Sequence, residues 1–173
     1  ALGELGNIKA IPLLLKRLDS SSTPMRHKLI QAIIRILGGK SLQLFLGKDK
    51  DRFRGYLMDV LEDEDTEVQD AAIRGLSAIG DASASESILR LAEQLNPDTD
   101  TERLLLMVDA LAAIGMTPAL QEELFRQEEY PALLAVEVMG RIKGHAVAEL
   151  FKKAFPSQIR SVQRSIAGGL AAF

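Results

Sequence analysis

A five-residue motif recurs along this chain and limits what it can fold into. "LGELG" at 2–6 returns as "IRILG" at 34–38, "LSAIG" at 76–80 and "LAAIG" at 111–115. A weaker copy, "MGRIK", stands at 139–143, and "LAAF" at 170–173 repeats two apolar anchors three residues apart. In the full copies an apolar helical turn is followed by glycine, the usual signal of a helix C-terminus. The spacings between successive glycine slots are 32, 42, 35 and 28 residues. Periods of this size belong to stacked helical units rather than to one globular core.

The repetition extends upstream of the motif. "EVQDAAIRGLSAI" at 67–79 aligns without gaps to "SVQRSIAGGLAAF" at 161–173, sharing Val-Gln, Gly-Leu and Ala at the same offsets. Apolar residues three and four apart predict first helices over 25–37, 66–79, 101–114 and 131–142. Second amphipathic stretches follow the slots at 8–18, 51–61, 84–95, 117–128 and 145–155. Capping residues and prolines separate the pairs near 19–24, 62–66, 96–101, 129–131 and 156–158. One such pair cannot bury its apolar stripe alone, so neighbouring pairs must stack.

Composition agrees with helices. Aromatics make up 5% of the 173 residues, tryptophan is absent, and Ala, Leu and Ile dominate, a poor mixture for a β-sandwich. With no cysteine, disulfides and zinc–thiolate sites are excluded. No apolar run is long enough to span a bilayer and no secretory pattern appears, so a cytoplasmic location is expected. The opening in mid-helix leaves room for an upstream signal or membrane segment.

"LGELGNIKAIPLLLKRLDSSSTPMR" and "LEDEDTEVQDAAIRGLSAIGDASASESILRLAEQL" resemble HEAT repeats, specifically the short bacterial subtype of the phycobilin lyases. The match is good at 1–37 and 62–95 and weaker at 116–155, where Lys143 replaces the turn glycine. The Val-Arg of the family pattern is Val68-Gln69 and Val162-Gln163 here, so an arginine ladder is incomplete. The resemblance implies an all-α fold, a right-handed α-solenoid of about five stacked helical pairs, with second helices lining the concave side. On this reading residues 1–173 are a single repeat domain cut from a longer array. Leu2, Leu5, Leu170 and Phe173 are then expected at apolar ends that meet a neighbouring repeat or lie ragged.

The second unit carries about ten extra residues, "KSLQLFLGKDKD", after Gly38-Gly39. Leu42, Leu44, Phe45 and Leu46 suggest a short extra helix, and a local packing variation explains it more simply than a binding loop. The glycine pairs at 38–39 and 168–169 suit a helix end and close packing.

Chemistry is sparse. The two histidines, His27 and His145, stand at helix starts and read as surface residues. Neither adjoins a glutamate, as the metal-binding HEAT hydroxylases require, and no metal site or cofactor is expected. No Gly-rich phosphate loop, Ser-His-Asp set, zinc spacing or calcium loop appears. Charge is more informative. Residues 1–54 balance at +7, residues 55–130 at −14 and residues 131–173 at +4. Tracking a phosphate backbone needs positive charge along the whole path, so nucleic acid is a poor partner.

If second helices line the concave side, helical phase selects its exposed residues. They are Lys9, Leu13, Lys16, Arg17, Arg52, Tyr56, Arg90, Glu93 and Gln94, then Glu122, Arg126, Glu149, Lys152 and Lys153. A solvated face is the plain alternative for each one; together they form a ribbon of alternating charge suited to a protein or peptide of patterned charge. Tyr56, an amphipathic aromatic beside Arg52 and Arg54, is the preferred anchor. The expectation is a non-enzymatic scaffold that binds a partner protein, a peptide or a neighbouring domain of its own parent chain. A bilin-lyase-like enzyme subunit and a nucleic-acid-binding HEAT-like protein are the alternatives.

Overall fold

Breakers and helix formers alternate along the chain, and the helices follow them. The computed structural model describes residues 10–46 and 50–173, and only the backbone of residues 11, 37–46 and 50. Lys9 and the opening motif lie outside the described residues. Those that are described form ten helices and no strand. The chain divides into two compact units, Ala1–Asp81 and Ala82–Phe173.

The first unit holds α1 (Ile11–Leu18), α2 (Thr23–Leu46), α3 (Lys50–Val60) and α4 (Thr66–Ile79). The first helices α2 and α4 pack together, with α1 on α2 and α3 against both. Leu18, Ile30, Ile33, Phe53, Leu57 and Leu76 fill the core between them. Gly75 permits this approach, because a Cβ there would stand 3.0 Å from Ile34 Cδ1 and 3.1 Å from Leu57 Cδ1.

The second unit holds α5 (Ser85–Glu93), α6 (Thr101–Ile114), α7 (Pro118–Leu124), α8 (Glu129–Ile142), α9 (His145–Ala154) and α10 (Arg160–Ala171). The first helix α8 packs against both α6 and α10, while α5 and α7 touch each other as well as α6 and α8 respectively. Val162, aligned in sequence with Val68, is fully buried, and Val68 is 1% exposed. Gly169 aligns with Gly75 and has the same role: a Cβ would stand 2.9 Å from Phe151 Cε2.

Three of the glycine slots act as read. Helices α4, α6 and α8 end at Ile79, Ile114 and Ile142, and the next residue turns with φ of 71° at Gly80, 98° at Gly115 and 59° at Lys143. Each of these residues donates its N–H to the carbonyl four residues back, on Leu76, Leu111 and Met139, at 3.0, 3.0 and 2.9 Å. Lys143 therefore holds a left-handed backbone with a side chain that disfavours it.

Gly38 does not stop its helix. α2 runs on through Gly38-Gly39 to Leu46, so residues 41–46 continue the first helix and form no separate short one. Glycine permits a turn without enforcing one, and "KSLQLFL" contains no proline, asparagine or aspartate to end the helix. The α10 helix likewise passes through Gly168 and Gly169. α8 opens at Glu129, two residues before Pro131, which sits in the first turn where its missing N–H costs nothing.

His27 also departs from its surface reading: it is 7% exposed, whereas His145 is exposed. The loop one repeat later supplies the reason, since Asp63 Oδ2 meets His27 Nδ1. Asp63 also accepts from the Asp65 main-chain N–H at 2.7 Å. That bond first, and His27 second, hold the Asp63 carboxyl below the usual carboxylate range.

Candidate functional site

Two second helices of the second unit enclose a cleft of about 520 Å³. On α5, Ile88, Leu89 and Ala92 are buried, which leaves Glu86, Arg90 and Glu93 as a stripe along the cleft. On α7, Leu120 and Leu124 are buried, so Glu122 and Glu123 line the opposite wall, joined by Arg126 just past the helix end. The two helix starts are pinned together. Thr117 Oγ1 accepts from the Leu120 N–H at 3.2 Å, capping α7, and shares a 2.8 Å hydrogen bond with buried Ser85 Oγ at the start of α5.

Arg126 links the walls. Its Nη1 lies 3.2 Å from both Glu93 carboxylate oxygens and 3.0 Å from Glu123 Oε2, and its Nε donates to Glu128 Oε2 at 3.3 Å. Burial first, and the neighbouring Glu93 charge second, raise the Glu123 carboxyl above its ordinary value. Four carboxylates thus face the cleft against two guanidiniums. Glu86 and Glu122 are exposed, and neither forms an ion pair among the described residues. Such a lining can hold a cationic group by charge-assisted hydrogen bonds. No group of three or more His, Asp or Glu side chains is placed to hold a metal ion among the described residues.

Four of the residues selected by phase, Arg90, Glu93, Glu122 and Arg126, therefore meet in one place. Glu86, Glu123 and Thr117 belong with them and were not selected. Glu86 was open to detection, because it precedes Arg90 by four residues on the same stripe. Gln94, beyond α5, is exposed.

In the first unit, Leu13 is 54% exposed, and Lys16 and Arg17 are exposed beside it on α1. Arg52 and Tyr56 are already engaged. Asp19 accepts from Arg52 Nη1 at 2.8 Å and from the Tyr56 hydroxyl, while Arg26 sits 4.8 Å from the Tyr56 ring centroid. The hydrogen bond to Asp19 chiefly raises the Tyr56 phenol above its usual value. Tyr56 is thus half-buried within its own unit, which leaves less of it to anchor a partner. On α9, Lys152 donates to Glu149 Oε1 at 2.9 Å, and Lys153 Nζ stands 6.0 Å from the Phe125 ring centroid. Among the described residues, no helix is long and apolar enough to cross a membrane. No family model matches the chain, and comparison with curated proteins found no match.

Proposed function

We propose that this chain is a HEAT-like repeat module that binds a partner protein without catalysing a reaction. The partner sits on the surface of the second helices, centred on the α5–α7 cleft. In this reading the helical pairs continue as a right-handed solenoid, as the resemblance to the short bacterial repeats implies. The observation that carries the proposal is the convergence of Arg90, Glu93, Glu122 and Arg126 around one open cleft.

Its chemistry selects the partner. Carboxylates outnumber guanidiniums two to one, and Arg126 already neutralises part of Glu93 and Glu123, so the remaining negative charge lies with Glu86 and Glu122. A segment bearing lysine or arginine complements this cleft, whereas a nucleic-acid phosphate is repelled by it.

Peptide-library selection on the immobilised protein tests the reading. Enriched sequences should be basic, and their binding should disappear in the Glu86→Lys, Glu122→Lys double variant, whose exposed side chains leave the core untouched. Acidic or neutral winners, or binding indifferent to the charge reversal, would refute it.

A further inference from the structure

Arg126 spans the α5–α7 cleft, and its bonding there is uneven. A single nitrogen, Nη1, meets four carboxylate oxygens: both of Glu93 at 3.2 Å, and those of Glu123 at 3.2 and 3.0 Å. That nitrogen carries two hydrogens, so at least two of the four oxygens have no hydrogen of their own there. Among the described residues no other group donates to either carboxylate. Arg141 also serves two carboxylates, but through separate nitrogens, Nη1 to Asp109 and Nη2 to Glu137. The side chains of Glu93 and Glu123 are only 24% and 15% exposed, so water makes up the shortfall in part. The Glu123 carboxyl, raised chiefly by burial and next by Glu93, fits a place where one cation serves two anions.

Arg126 also has a second place to rest. It lies past the end of α7, after the Phe125 cap, and its side chain is 36% exposed. Its Nε donates to Glu128, two residues further on and 65% exposed. Leaving the cleft would therefore not leave this guanidinium without a carboxylate.

We propose that Arg126 is an internal stand-in for an arginine of the partner. When the partner docks, its guanidinium takes the place between Glu93 and Glu123, and Arg126 withdraws to Glu128. This rests on the reading of the cleft as the seat of a basic segment, and it names the residue that the cleft selects. Arg126 itself demonstrates that a guanidinium fits between the two walls. The five N–H groups of a planar guanidinium can serve four oxygens, whereas a lysine ammonium has three. Exposed Glu86 and Glu122 draw the segment in, and Glu93 with Glu123 then favour arginine over lysine. Because an incoming arginine must first displace Arg126, the chain binds less tightly than its cleft allows.

The probes are a fluorescent Gly-Arg-Gly-Arg-Gly peptide and its lysine counterpart, titrated with the full chain and followed by anisotropy. Arg126→Met removes the competing charge and keeps an unbranched side chain. It should bind the arginine peptide about tenfold more tightly than the unaltered chain, the effect of removing one charge-assisted competitor. The lysine peptide should gain less, and adding Glu123→Gln to Arg126→Met should abolish the gain. Equal or weaker binding by Arg126→Met, or an equal gain with lysine, would overturn the proposal. If the unaltered chain still binds through Glu86 and Glu122, the docking reading survives that result; binding by neither chain would overturn both. Arginine side-chain NMR on the unaltered chain answers the case in which the variant does not fold. Saturating arginine peptide should shift the Nη signals of Arg126, and unmoved signals would overturn the proposal.

Discussion

Gln163 donates its side-chain amide to the main-chain carbonyl of Phe155, eight residues upstream, at 2.9 Å. Gln69 does the same to Leu61, also at 2.9 Å, and Arg26 does it with Nε to Leu18 at 3.2 Å. In each case the second turn of a first helix ties down the end of the second helix before it. Glutamine thus supplies at α4 and α10 the donor that arginine supplies at α2, whereas the fourth residues of α6 and α8 are Leu104 and Ala132, which carry none. Replacing Gln163 by alanine leaves a carbonyl without its donor and should cost about 1 kcal/mol. Gln163→Arg should retain most of the stability, since Arg26 shows that arginine can make the bond. Urea denaturation of both variants checks this.

Lys143 occupies the slot that Gly80 and Gly115 fill, with φ of 59° against 71° and 98°. A side chain in this region costs about 1–3 kcal/mol unless the surroundings offset it. Lys143→Gly should therefore raise the melting temperature, and Gly115→Ala, which imposes the same strain, should lower it. Thermal unfolding followed by circular dichroism distinguishes the two directions.

Neighbouring glycines of α10 should respond in opposite ways. A Cβ on Gly169 would stand 2.9 Å from Phe151 Cε2, whereas Gly168 has nothing within 4 Å. Gly169→Leu should destabilise by about 1–3 kcal/mol through overpacking. Gly168→Ala should be neutral or stabilising by up to about 1 kcal/mol, as for an exposed helix-interior glycine. Equal effects would contradict the packing of α9 against α10.

Asp63 connects stability to pH. Its folded pKa lies below the ordinary aspartate value, so its stabilisation is complete above that value and disappears as pH falls through the folded pKa. Asp63→Asn should be less stable than the parent at pH 7, and the difference should shrink below about pH 4. Denaturation midpoints measured across that range test the sign.

The helix ends at Ile79, Ile114 and Ile142 were legible because an apolar turn followed by a slot residue is a local signal. Gly38 misled for the same local reason: glycine allows a stop, and nothing after it demands one. His27 was unreadable because Asp63, the residue that makes its burial affordable, lies 36 positions away, and its pairing depends on how two repeats register. At the candidate site, helical phase placed Arg90, Glu93, Glu122 and Arg126 on the exposed side of the second helices. It could not show that Arg126 would bridge Glu93 and Glu123, nor that Asp19 would engage Tyr56. Phase sets direction from a helix, and partnership needs the neighbouring repeat.

Hydrogen–deuterium exchange of the full chain with a selected basic peptide bound tests the central claim most directly. Added protection should fall on α5 and on the 117–126 segment that carries α7 and Arg126. Protection confined to α8 and α10, or none at all, would contradict binding at the second helices.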